Sequence, residues 1–299
     1  MNNKMKTIGI IFSMSLLVLS SCGDSETEKS DINTNEVNNE DNNNIQDKPK
    51  VDHRLPAPSM FFDVISRIGG EAREDLTNSI ENVDKYTTAD RKALNFGVYF
   101  ADVAYLTSYE TNTKTLSYLQ GLKKMADDLS ISAIFSDDLM QKMSSNNENL
   151  DSMSTYADEV YYYATSYLEN EEKGDILSLM LIGGWIESMH IVTNLVDEYD
   201  QDNEIISEIA SQKVYLESIL EHAIVYAEES ETIANWIDKL YELMEIFNES
   251  TEAHSTSAER DDSGKIILSS GDKVKLDELA FGTIVEKIKN MRSEIVNAE

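Results

Sequence analysis

From about Leu55 onward, apolar residues recur at helical spacing, and no stretch sustains the period-two alternation of a half-buried strand. The three prolines (Pro49, Pro56 and Pro58) all lie near the start of this region or before it, which leaves the long runs that helices require. The pattern predicts helices over Ser59–Ile68, Glu71–Val83, Ala89–Ser108 and Thr113–Leu129. A short piece from Ser136 to Ser144 follows, then Leu150–Glu169, Asp175–Tyr199, Glu204–Glu228, Glu231–Phe247 and Leu276–Asn297. Thr88, Asn112, Ser136 and Asn203 stand where N-caps belong, each with a side-chain oxygen for an unpaired amide of the first turn. Glu231–Phe247 is the cleanest amphipathic case, with Ile233, Trp236, Ile237, Leu240, Met244 and Phe247 along one face. The Ser/Thr/Glu-rich stretch 248–263 breaks the pattern and reads as a mobile loop, followed by an extended segment, Gly264–Leu268, pinned to the bundle. The expected fold is one all-α domain over 55–299, a multi-helix bundle of about eight to ten helices.

Two of these helices are apolar nearly all round, Asn95–Tyr109 and Leu179–Leu195, and belong at the centre with neighbours on several sides. Gly97, Gly183 and Gly184 lie inside them, where glycine costs up to about 1 kcal/mol relative to alanine. Close approach of a crossing helix is the expected compensation. The two segments also echo each other, Phe100-x-Asp102-x-x-Tyr105-x-x-Ser108 beside Trp185-x-Glu187-x-x-His190-x-x-Thr193, 85 residues apart. Two pseudo-repeated halves would produce the echo, and so would chance likeness between apolar helices.

The N-terminal region is of another kind. Lys4 and Lys6 precede an apolar run, Ile8–Leu19, that is too short to span a bilayer, which takes about 20 residues. Leu19-Ser20-Ser21-Cys22 then reads as a lipobox, so residues 1–21 are expected to be a lipoprotein signal peptide and Cys22 the acylated residue. A single myristoyl-length chain binds a membrane only marginally, whereas the two or three acyl chains of a mature lipoprotein anchor it stably. Cys22 is the chain's one cysteine, which excludes disulfides, thiolate metal sites and a cysteine nucleophile. Residues 22–54 are Asn-rich and acidic, with too little apolar surface to offset ordering entropy, and read as a disordered tether. As a flexible coil it spans roughly 30 Å.

Asn95–Glu110 and Leu179–Leu195, taken with the lipobox, resemble an uncharacterised group of all-helical lipoproteins of Bacteroidota-type cell envelopes. The resemblance implies an all-α fold and a membrane-anchored position, at the outer membrane, on its periplasmic face or at the cell surface. It carries no activity and no catalytic residue. The acidic run Asp24, Glu26 and Glu28 after Cys22 resembles the export signals of surface lipoproteins in such envelopes.

The formal charge of −31 becomes −33 once Lys4 and Lys6 leave with the signal. Between Lys142 and Arg260, 26 acidic residues face only Lys173, Lys213 and Lys239. Such a surface excludes nucleic acid, whose binding rests on clustered Lys and Arg, and it favours a soluble, monomeric domain.

Candidate chemistry is sparse. Glu187 and His190, at i and i+3, share a helix face as in di-iron bundles, but His53, His222 and His254 lack an acid three residues earlier. An internal hydrogen bond is the simpler role for the pair. Asp102, an acid on an apolar helix, either pairs (Tyr99 and Tyr105 are near) or holds a shifted pKa, and pseudo-symmetry would set it against Glu187. Asp200-x-Asp202-x-Glu204 fails the calcium-loop pattern, with Ile205 and Ser211 where glycine and glutamate belong. Tyr156, Val160, Tyr163 and Tyr167 align on one face, as half-buried wall or as the lining of a ligand groove. Neither a G-x-S-x-G, nor an H-E-x-x-H, nor a P-loop, nor a dinucleotide fingerprint occurs. The sequence thus points to a lipid-anchored, non-enzymatic helical module that binds a protein or small-molecule partner, with no catalytic residue, metal ligand or cofactor to name. An accessory subunit of an outer-membrane complex is the alternative. A hydrolase or metal enzyme around Asp102, Glu187 and His190 is the weaker one.

Overall fold

The computed structural model describes residues 57–69, 71–109, 112–145, 150–251, 258–260, 266–268 and 276–297, all within the unit Lys50–Glu299. Cys22, the lipobox residues Leu19, Ser20 and Ser21, and the tether lie outside the described residues. The described part is all-α: α1 (Pro58–Arg67), α2 (Ala89–Ser108), α3 (Asn112–Asp128), α4 (Asp137–Ser145) and α5 (Leu150–Asn170) form the first half. The second half holds α6 (Gly174–Thr193), α7 (Glu204–Ser211), α8 (Lys213–Ala223), α9 (Glu231–Thr251) and α10 (Glu278–Val296). One short antiparallel pair, β1 (Ala258–Arg260) with β2 (Ile266–Leu268), joins Ala258 to Leu268 and Arg260 to Ile266.

The caps sit where their chemistry places them. Thr88 Oγ1 accepts the Arg91 amide, Ser136 Oγ the Leu139 amide, and Asn203 Oδ1 the Ile205 amide. Asp277 Oδ1 does the same for Ala280 at the head of α10.

Four expected elements differ. The helix expected over Glu71–Val83 is two 3-10 turns, Glu74–Leu76 and Ile80–Lys85, joined through extended backbone at Thr77 and Ser79. The extension brings Asn78, itself buried, against α2. α6 ends at Thr193 rather than Tyr199, because Asn194 Nδ2 turns back to the His190 carbonyl and closes the helix. The helix expected over Glu204–Glu228 breaks at Gln212, whose amide bonds the Ile209 carbonyl three residues back, and it closes in a 3-10 turn, Ile224–Tyr226. α9 runs to Thr251, so the first residues of the expected loop are helical, and the extended segment after it pairs with β1.

α2 and α6 form the most extensive contact in the fold, as their all-round apolar sequences require. A Cβ on Gly97 would fall on the Met180 carbonyl oxygen, one on Gly183 on the Leu94 carbonyl, and one on Gly184 within 3.2 Å of the Gly97 carbonyl. Backbone meets backbone here, which offsets the helix-propensity cost of these glycines. Gly97 meets Gly184, Asp102 neighbours Glu187 further along both helices, and Arg73 reaches both Tyr105 and Asn194 near their ends, so the helices run in the same direction. α6 is long and apolar enough by composition to cross a membrane, yet 89 % of that stretch is buried inside the bundle. Its apolar surface is used within the protein. α1, α3 and α5 pack on α2, α8 on α6, and α10 on both α6 and α9.

Candidate functional site

At the crossing, a residue and the one two places on point to opposite sides of a helix, since each step turns about 100°. α2 and α6 therefore present two different sites from neighbouring positions: Asp102 and Glu187 on one side, Phe100 and Trp185 on the other.

On the first side, Asp102 and Glu187 are fully buried. Arg292, from α10, grips Glu187 with two parallel bonds, Nε to Oε2 at 2.9 Å and Nη2 to Oε1 at 3.0 Å, and Nη2 also reaches the Leu76 carbonyl at 3.3 Å. This forked geometry is the strong form of a charge-assisted pair. Burial opposes the Arg292 charge, but the Glu187 carboxylate outweighs it and holds the guanidinium above its ordinary pKa.

Asp102 has no such cation of its own. Its Oδ2 accepts the Asn78 backbone amide at 3.2 Å, and no donor among the described residues reaches Oδ1. Burial drives its pKa well above the usual carboxylate range, the neighbouring Glu187 charge adds to the rise, and Arg292 opposes it. Two carboxylates side by side bond only if one keeps its proton, and the guanidinium neutralises one. Burial pushes Asp102 toward its protonated form, while Glu187 is the acid paired with Arg292.

A polar belt closes the cluster. Asn78 Nδ2 donates to Tyr86 Oη at 2.8 Å, Tyr99 Oη donates to the Ser79 carbonyl at 2.9 Å, and Tyr118 Oη lies 3.0 Å from Thr77 Oγ1. Burial raises all three phenol pKa values, Tyr118 to about 12, so these hydroxyls stay neutral. Asn95 Nδ2 ties α2 to the Ile295 carbonyl of α10 at 3.0 Å.

Of the residues singled out in the sequence, Asp102 and Glu187 come together and His190 does not join them. His190 is half-buried one turn on, its Nδ1 lies 3.3 Å from Asn194 Nδ2, and burial lowers its pKa. Nor do Tyr99 and Tyr105 serve Asp102. Tyr99 donates to Ser79, and Tyr105 Oη accepts the Arg73 amide at 2.6 Å. The partner sequence reasoning missed is Arg292, 105 positions from Glu187. Two acids on otherwise apolar helices demand a cation, and that demand was the available signal. Among the described residues no cluster of three or more His, Cys, Asp or Glu could hold a metal ion.

On the other side lies a small cleft of about 70 Å³, open to solvent. Gly97 and Phe100 of α2 and Met180, Gly184 and Trp185 of α6 line it, together with Phe61, Tyr161 and Tyr215. Gln212, at the break between α7 and α8, is a buried polar side chain on the lining. Trp185 is 7 % exposed, and its Nε1 finds no acceptor among the described residues. The buried tyrosine of α5 is Tyr161, whereas Tyr163, expected on the inner face, is half-exposed. The face that packs inward carries Ala157, Val160, Tyr161, Ala164 and Leu168, a spacing the crowded tyrosines obscure.

Comparison with protein families, with curated proteins and with solved structures found no match.

Proposed function

We propose that this chain is a lipid-anchored envelope protein whose helical bundle serves as a non-enzymatic binding module, with the cleft at the α2–α6 crossing as its ligand site. The cleft carries the reading: an open, aromatic-lined recess on rigid central helices is the ordinary form of a small-molecule site. The acidic pair supports a structural role for the opposite side. Both carboxylates are fully buried, one is gripped by Arg292, and neither presents an oxygen to a substrate. A hydrolase would need such an oxygen within reach of the reacting bond.

The anchor rests on Leu19-Ser20-Ser21-Cys22. Detergent phase partitioning of cell extracts tests it. The wild-type protein is expected in the detergent phase at the size of a processed chain, and Cys22→Ser in the aqueous phase. A Cys22→Ser protein that stays with the membrane and matures to the same size would overturn the anchor.

A further inference from the structure

The charges on the sealed side of the crossing do not balance by themselves. Asp102 of α2 and Glu187 of α6 are both fully buried, and Arg292 of α10 is the cation set against them. Two carboxylates facing one guanidinium leave a buried negative charge unless the acids hold a proton between them. The geometry agrees with the count. Asp102 Oδ1 meets no donor among the described residues, and a proton on Asp102 lets the two acids bond instead of repelling. The other groups around them supply no second charge. Tyr99 of α2, Tyr118 of α3 and Tyr86 are phenols that burial keeps neutral, and Asn78 brings an amide. His190, one turn beyond Glu187, is pushed by burial toward its neutral form.

The same groups dock the C-terminal half of α10. Arg292 holds Glu187 and the Leu76 carbonyl, Asn95 Nδ2 reaches the Ile295 carbonyl, and Tyr86 Oη donates to the Val296 carbonyl at 3.4 Å. Asn78 links these contacts to Asp102, with its backbone amide on the carboxyl and its side chain on Tyr86 and Asn95. The further ionic ties of α10, Lys287 to Glu242 and Lys239 to Glu294, lie at the surface and contribute little.

We infer that a proton shared by Asp102 and Glu187 latches α10: while it is held the helix stays docked, and its loss to solvent lets α10 open apart from the rest of the bundle. Opening admits water and restores ordinary carboxylate acidity. The open form therefore binds less proton than the closed form from about pH 4 up to the raised pKa of the pair, and the open fraction grows with pH by up to about tenfold per unit.

Hydrogen exchange of the full chain, read by mass spectrometry at about pH 6.5 and about pH 7.5 and corrected for intrinsic amide rates, tests this. Peptides within 284–292 are expected to exchange at least about tenfold faster than those of α2 and α6, because α10 opens on its own. Their open fraction is expected to rise about threefold to tenfold between the two pH values. Asp102→Asn cannot titrate and keeps His190, so its ratio between the two pH values should lie near one. Asp102→Leu removes the same titration, should Asp102→Asn fail to fold. Exchange of α10 no faster than that of α2 and α6 would mean that it leaves only with the whole domain, and would overturn the latch. A wild-type ratio near one, or the same rise in the variant, would overturn the part given to the proton.

Discussion

The two sides of the α2–α6 crossing are built from adjacent positions and follow opposite rules. Asp102 and Glu187 are sealed, with Arg292, the Asn78 amide and a belt of tyrosines around them. Phe100 and Trp185, two residues earlier on each helix, line an open cleft with no charged neighbour in its wall. Charge in a core is tolerable only when its complement is supplied almost completely, so the ionic side has to be closed. Apolar surface carries no such demand and can stay open to a visitor. One helix pair thus holds a lock on one side and a vacancy on the other.

Removing the cation should break the contrast most severely. Arg292→Met leaves the Glu187 carboxylate buried with its strongest partner gone, and is expected to cost about 3–5 kcal/mol. Urea unfolding measures this directly, and a loss below about 1 kcal/mol would mean that the ionic side is not the closure described above.

The next effect depends on pH. Asp102 has a folded-state pKa raised above its unfolded value, so its contribution to stability is complete below about pH 4 and is lost as pH rises toward the folded pKa. Asp102→Asn imitates the protonated form, accepting from the Asn78 amide and donating toward Glu187, without titrating. The variant should match the wild type near pH 4 and gain on it by up to about 1.4 kcal/mol per pH unit above that. Unfolding midpoints at several pH values read the slope, and parallel curves for the two proteins would place the buried proton elsewhere.

The smallest effect belongs to the open side. Trp185→Phe gives up some ring contact and removes an unpartnered donor, two changes of opposite sign, and stability should stay within about 1 kcal/mol of the wild type. A larger loss in thermal or urea unfolding would show the indole to be a structural prop like the residues across the crossing.

Signals that act within a few residues were legible in the sequence. Thr88, Ser136 and Asn203 cap where hydroxyl and amide oxygens favour helix starts, and Gly97, Gly183 and Gly184 mark the crossing because nothing larger fits there. Asp102 and Glu187 stood out as acids within apolar runs. Arg292 did not, because Lys287, Lys289 and Glu294 around it make α10 read as an ordinary solvated helix. Its role is set by a helix far along the chain. The stretch Glu71–Val83 failed for a related reason: it scans as helix by composition, but an extended backbone is what delivers the Asn78 amide to Asp102. Tyr161 was hidden among five tyrosines whose local pattern favoured Tyr163, and only the small residues Ala157 and Ala164 disclose the inward face.

The parallel course of α2 and α6 bears on how this protein acquires its structure. Helical bundles usually assemble from neighbours joined by short turns, which keeps their contacts local and their folding fast. Here the central partners stand 85 positions apart in the chain, and closing a loop of that length costs about 4 kcal/mol of chain entropy before any contact is rewarded. During synthesis α2 leaves the ribosome long before α6 exists, and the arginine that neutralises Glu187 follows later still. Until α6 is made α2 lacks its most extensive packing partner, and until α10 is made Glu187 lacks its cation.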